Sequence, residues 1–97
     1  MESLSITEKQ FEAQVKDLAK IFGWMYYHTW KSVFSPKGFP DCVLVRQPRL
    51  IFAELKSEKG KVSSEQRAWL DALGKLVNVE VYLWRPDDIE TITKVLR

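Results

Sequence analysis

The chain contains a single cysteine, Cys42, and a single histidine, His28, and this scarcity excludes several kinds of site. One cysteine cannot form an internal disulfide or a cysteine-based zinc site. One histidine excludes a site built on two histidines. His28 alone could still be a metal ligand, a general base, a DNA contact or an ordinary residue at the edge of the core. The acidic and basic side chains are therefore the main candidates for chemistry.

Long apolar runs are also missing. No stretch approaches the roughly 20 residues that cross a bilayer, and residues 1–10 lack the basic and apolar regions of a signal peptide. We therefore expect a cytoplasmic protein with no membrane partner.

The composition predicts one globular domain over residues 1–97, with 45% hydrophobic and 29% charged residues. The net charge of +2 is small but unevenly placed, because residues 31–67 hold eight Lys or Arg and four acids. A basic segment attracts phosphate backbones, although an ordinary mixed surface explains the charge equally well. The chain also has 4 Trp, 3 Tyr and 5 Phe, part of which could serve a subunit interface.

The spacing of apolar residues predicts alternating helices and strands. Apolar residues between Phe11 and Phe22 recur every three or four positions. This spacing predicts an amphipathic helix over 7–22 that is capped by Ser5 or Thr7. A second helix over 64–75 is predicted to bury Ala68, Trp69, Leu70, Leu73 and Leu76. Strands are predicted over 24–30, 41–46, 50–56 and 79–84. Residues 85–87 start a last helix, with Asp87 or Asp88 in its first turn. The order αβββαβ plus a final helix indicates an α/β fold, with a mixed four-stranded sheet flanked by helices.

Three charged residues are predicted to converge at one edge of this sheet. Glu54 and Lys56 lie two residues apart on one strand, so they share a face at a spacing of roughly 6.6 Å. Leu55 between them turns into the core and leaves its carbonyl group at the site. Asp41 begins the preceding strand, which a tight turn joins to this one.

This constellation suits phosphodiester hydrolysis. Asp41 and Glu54 are hard oxygen ligands for Mg²⁺ or Mn²⁺, and the Leu55 carbonyl could add a third. Lys56 would orient or help deprotonate the attacking water and stabilise the developing negative charge. Glu8 on the first helix could join through a metal-bound water.

Two members of this set have competing interpretations. Glu8 fits a solvated first-turn acid favoured by the helix dipole, and the choice between Glu8 and Glu12 as the helix acid stays open. Gln66 could reach the site or complete a capping box with Ser63. DNA contacts are predicted at Ser32, Ser35, Lys37, Lys59 and Lys61, which are equally ordinary in exposed loops.

These residues resemble a known family. Pro40-Asp41 and Glu54-x-Lys56 in the order αβββαβ resemble the PD-(D/E)XK nuclease superfamily, and the pattern GFPDxxLVR, FAELK and GxxSxEQ resembles the VRR-NUC domain. The resemblance implies a restriction-endonuclease-like fold and a divalent-metal nuclease. It implies catalytic roles for Asp41, Glu54 and Lys56, completed by Glu8 and Gln66.

Single-domain members of that family are mostly phage or prophage proteins, similar to homodimeric Holliday-junction resolvases. The resemblance therefore implies branched DNA as substrate, a homodimer, and the cytoplasm of a bacterium or phage-infected host. Two alternatives remain, namely a catalytically silent DNA-binding module with the same fold and a plain structural or interaction domain.

Overall fold

The computed structural model describes residues 6–97 and confirms the predicted α/β fold with a mixed four-stranded sheet flanked by helices. Its elements, in chain order, are α1 (Glu8–Ile21), β1 (Met25–His28), β2 (Cys42–Arg46), β3 (Arg49–Leu55), α2 (Ser64–Gly74), β4 (Glu80–Trp84), a 3-10 turn (Pro86–Asp88) and α3 (Ile89–Leu96). Within residues 6–97 no helix is long and apolar enough to span a membrane.

The sheet has the strand order β1-β2-β3-β4. The pairs β1–β2 and β2–β3 are antiparallel, whereas β4 returns parallel to β3 after the α2 crossover. The register aligns His28 with Cys42 and Cys42 with Ala53. The end of β1, the start of β2 and the end of β3 therefore meet at one edge of the sheet.

The main core lies between one sheet face and helices α1 and α3. Helix α1 buries Phe11, Val15 and Ala19, which recur every four residues, and α3 buries Ile92 and Leu96. The sheet contributes the buried residues Cys42, Leu44, Ile51, Ala53, Leu55 and Trp84. Because side chains alternate along β3, Phe52 and Glu54 face the opposite side.

Helix α2 covers part of that opposite side, where Phe39 packs edge-on against Phe52 and Trp69. The predicted buried face of α2 is wrong in two places. Leu70 is buried and Trp69 and Leu73 are half-buried, but Ala68 and Leu76 are exposed. A helix that packs on one side only has a narrow apolar stripe, and Ala68 lies about 200° around the axis from Leu70. Leu76 lies beyond the helix, which ends at Gly74.

β1, β2 and β4 are shorter than predicted, and β3 has the predicted length but begins and ends one residue earlier. Asp41 lies just before β2, and Lys56 lies just after β3. Trp24, Thr29 and Trp30 also lie outside β1. Thr7 caps α1, with its hydroxyl accepting from the N–H of Gln10, whereas Ser5 lies outside the described residues.

Candidate active site

Asp41 is fixed to the end of β3 by a direct hydrogen bond. The backbone N–H of Leu55 donates to Asp41 Oδ2 at 2.8 Å. Because the N–H and C=O groups of one strand residue point to the same side, the Leu55 carbonyl also points toward Asp41. The Leu55 side chain is fully buried in the core. This hydrogen bond therefore fixes Asp41 beside the end of β3, at one edge of the sheet.

Glu54 is the most unusual residue of the chain. It is 0% exposed, and neither carboxylate oxygen has a hydrogen-bond partner within residues 6–97. Burial and the adjacent carboxyl group of Asp41 raise the pKa of Glu54 to about 9, opposed by the charge of Lys56. Two carboxylates in contact can share a hydrogen bond only if one of them is protonated. Without a cation, Glu54 therefore keeps its proton at neutral pH.

Lys56 is half-buried and follows the end of β3. Its backbone N–H donates to the carbonyl of Trp84 at 3.0 Å, which extends the pairing with β4 by one residue. Its ammonium group is close enough to favour the ionised form of Glu54. The structure therefore brings together Asp41, Glu54 and Lys56, as the sequence predicted.

The two glutamates of α1 lie in different environments. Glu8 is exposed in the first turn, whereas Glu12 is half-buried. Burial raises the pKa of Glu12, and the nearby charge of Asp41 raises it further, while His28 lowers it. Glu12 therefore faces the Asp41 side of the sheet edge, and Glu8 lies one turn away toward the start of the helix.

Gln66 has the capping role that competed with a site role. Its Oε1 atom accepts from the N–H of Ser63 at 2.9 Å, and Ser63 Oγ accepts from the N–H of Gln66 at 3.1 Å. The capping box uses Oε1 alone, so the amide nitrogen stays available as a donor. Gln66 and Asp41 also line the same cleft. The cap therefore orients Gln66 without excluding a contact with a ligand.

That cleft has a volume of about 840 Å³ and lies between the loop after β1 and the start of α2. Ser32, Ser35 and Lys37 line it, so these predicted DNA contacts lie beside Asp41. Lys59 and Lys61 are exposed but do not line this cleft.

Arg85 holds the loop that follows Lys56, a role that sequence reasoning missed. Its guanidinium group donates to the carbonyl groups of Ser57 and Gly60, both at 2.7 Å, and to that of Glu58 at 3.2 Å. A single Arg after a strand carries no signal for such a distant contact. It contributes to the site by fixing the chain just after Lys56.

Gly38, the first residue of the GFPD pattern, has a packing role that the sequence did not predict. It has φ +99°, and a Cβ atom placed there would lie 2.5 Å from the carbonyl carbon of Glu65 and 2.8 Å from the nitrogen of Gln66. Glycine thus lets the loop before Asp41 touch the first turn of α2.

Gly38→Ala is therefore expected to lower the free energy of unfolding by about 1–3 kcal/mol and to weaken any activity of the cleft. Urea unfolding checks this, with Gly74→Ala as control because a Cβ atom at Gly74 meets nothing within 4 Å. Equal stability of Gly38→Ala and the parent chain would contradict the packing described.

The donor set fits a divalent cation. A buried carboxylate with no hydrogen-bond donor is destabilising unless it is protonated or binds a positive charge, and Glu54 is such a group. Asp41 and the Leu55 carbonyl supply further hard oxygens on the same side. Within residues 6–97, no three His, Cys, Asp or Glu side chains form a preassembled metal cluster. A cation here would rest on two carboxylates, a backbone carbonyl and water.

The chain matches the model of a known family. The model of the VRR-NUC domain, which belongs to the PD-(D/E)XK nuclease-like families, matches residues 7–86 of the 97-residue chain. The matched segment runs from the cap of α1 to just beyond β4 and contains the whole candidate site. No curated protein and no solved structure matches the chain significantly.

Proposed function

Because the chain belongs to the VRR-NUC domain family, we propose that it is a divalent-metal-dependent DNA endonuclease. The family indicates a nuclease-type function in DNA processing. The observation that carries the proposal is the buried Glu54 carboxyl group, which lies against Asp41 without any hydrogen-bond donor. Such a pair is unfavourable in a structural protein, but a cation gives it a favourable arrangement.

Mg²⁺ or Mn²⁺ is the proposed ion, with Asp41, Glu54 and the Leu55 carbonyl as the groups that would hold it. Nuclease families of this kind typically use divalent metals. When bound, such an ion offsets charge on the scissile phosphate and lowers the pKa of a nearby water.

The residues of the chain have separate roles in the proposed reaction. Lys56 orients the attacking water and stabilises the negative charge that develops on the phosphate oxygens. The hydrogen bond from the Leu55 N–H holds Asp41 in place beside Glu54. The amide nitrogen of Gln66 donates to the phosphate or to the water.

The helix acid is proposed to be Glu12 acting beside Asp41, with Glu8 as the alternative that the family pattern favours. Glu12→Gln is expected to reduce cleavage by roughly ten- to a hundred-fold. The reason is that Glu12 is half-buried and close enough to Asp41 for the charge of Asp41 to raise its pKa. Glu8→Gln is expected to change the rate by less than about threefold, since Glu8 is exposed. Initial rates at saturating metal measure both, and the reverse order would assign the role to Glu8.

Branched DNA such as a Holliday junction is the proposed substrate, and a homodimer the proposed assembly. One domain of this size offers one candidate site, whereas symmetric cleavage of two strands requires two. Met25 and Tyr27 on edge strand β1 are 74% and 63% exposed and offer an apolar surface for a partner copy. A cytoplasmic location, in a bacterium or phage-infected cell, accompanies this proposal.

The deciding experiment mixes the protein with four-way junction DNA and with linear duplex, each with Mg²⁺, with Mn²⁺ and with EDTA. Metal-dependent cleavage of the junction is expected. Cleavage in EDTA would contradict the proposed mechanism. Binding without cleavage in every metal would favour a silent DNA-binding module, and no binding would favour a structural or interaction domain.

A further inference from the structure

The loop between β1 and β2 exposes large apolar side chains next to the candidate site. Trp30 is 81% exposed, Val33 93% and Phe34 96%. A cluster of exposed apolar groups on a small protein is unfavourable in water and marks an interaction surface. The position of the cluster, on the loop that leads into Asp41, suggests that it acts together with the site.

Trp30 is held in place despite its exposure. The N–H of Thr29 donates to the carbonyl of Asp41 at 2.8 Å, so Trp30 follows directly after a residue bonded to the site. The His28 ring and the indole form a T-shaped pair, with ring centroids 5.6 Å apart and an angle of 86° between the ring planes. Trp30 therefore offers a flat apolar face on the wall of the cleft that also contains Asp41.

The surroundings of Trp30 suit a phosphate-bearing ligand. Residues 29–40 contain Lys31 and Lys37 and no acid, and both lysines line the cleft. The two acids that line the cleft lie outside this basic segment. Asp41 follows it directly, and Glu65 lies in α2. Thr29, which also lines the cleft, has a buried hydroxyl oxygen with no hydrogen-bond partner within residues 6–97.

We propose that Trp30 stacks on a DNA base that is unpaired or unstacked next to the scissile phosphate, so that this cleft selects DNA that is open beside the cut, as at a branch point or a bulge. This inference rests on the proposed nuclease function and adds Trp30 as the residue that recognises the DNA base. A base within a duplex is stacked on both faces and cannot present one to Trp30, whereas an unpaired base can. The volume of about 840 Å³ lies within the range that encloses organic ligands and accepts an unstacked nucleotide.

The test measures binding in EDTA, where DNA cannot be cut, with two oligonucleotide duplexes of one sequence. One duplex is fully paired, and the other carries a short bulge that contains 2-aminopurine. The protein is expected to bind the bulged duplex more tightly and to change the 2-aminopurine fluorescence. Trp30→Ala is expected to weaken that binding by about 5- to 150-fold, while leaving binding to the paired duplex within twofold. Trp30→Phe keeps an aromatic face and should retain most of the preference.

Phe34→Ala is the matched control, because Phe34 is an even more exposed aromatic of the same loop that does not line the cleft. It is expected to leave the preference unchanged. The inference is overturned if Trp30→Ala keeps the preference, if Phe34→Ala removes it equally, or if no DNA binds. It is also overturned if Trp30→Ala converts a dimer to monomers in sedimentation, since the surface would then belong to a second copy.

The two proposals fail in distinguishable ways. If the parent chain prefers the bulged duplex through Trp30 but cuts no DNA with Mg²⁺ or Mn²⁺, the nuclease function fails and the base contact stands. If it cuts DNA, and Trp30→Ala cuts bulged and paired duplexes with the parent's ratio of rates, the base contact alone fails.

Discussion

Glu54→Gln is expected to lower DNA cleavage by at least about 10³-fold while the protein becomes more stable, not less, at pH 7. The amide cannot ionise, so it no longer supplies a negative charge to a cation. It also resembles the protonated Glu54 that the metal-free protein contains, and its nitrogen can donate to Asp41. A loss of activity with a gain of stability is unusual for a buried residue and would identify Glu54 as a functional group.

The measurement combines single-turnover cleavage of junction DNA with urea unfolding of the same preparations. Glu90→Gln is the matched control, because it makes the same chemical change on the exposed side of α3. Asp41→Asn and Lys56→Ala are expected to lose cleavage to a similar degree. Cleavage by Glu54→Gln within tenfold of the parent rate would refute the assignment of this site.

The second large effect is a fall in stability with rising pH to which Glu54, lying against Asp41, makes the largest contribution. Its pKa is raised from 4.5 to about 9 in the folded protein, so the folded state keeps a proton that the unfolded state releases. The stability is therefore fully present below pH 4.5 and is lost progressively as the pH rises to about 9. Each pH unit within this window costs about 1.4 kcal/mol at most, for a total of a few kcal/mol.

Urea unfolding in EDTA at several pH values measures this effect as the difference between the parent chain and Glu54→Gln. The difference should grow with pH, because the other titrating groups are common to both proteins. Added Mg²⁺ or Mn²⁺ should stabilise the parent at high pH and have little effect on the variant, since ligands stabilise the state that binds them. Parallel pH curves for the two proteins would show that Glu54 ionises normally.

The order of helices and strands was predictable because it rests on local periodicity and capping. The apolar spacing of α1 and the capping boxes of Thr7 and Ser63 act over a few residues, so they are visible in the sequence. The convergence of Asp41, Glu54 and Lys56 was also predictable, since a short connection between two strands leaves few choices of register. The family match over residues 7–86 agrees with that pattern.

The buried face of α2 was less predictable. Its residues Ala68 and Leu76 are apolar, but exposure depends on how much of the helix the sheet covers. The same limit applies to the loop after β1, where composition predicted polar contacts and the structure adds the exposed side chains of Trp30, Val33 and Phe34. The local sequence does not determine which apolar residues remain exposed because no helix or strand packs on them.

The sequence by itself determined the fold class, the family and the identity of the charged residues at the sheet edge, because these follow from periodicity, spacing and residue type. Only the tertiary structure decided the state of those residues. Glu54 is fully buried, has no hydrogen-bond partner within residues 6–97 and lies against Asp41. Glu12 is half-buried near Asp41, whereas Glu8 is exposed. Such effects depend on distances between segments remote in sequence, which no local pattern encodes.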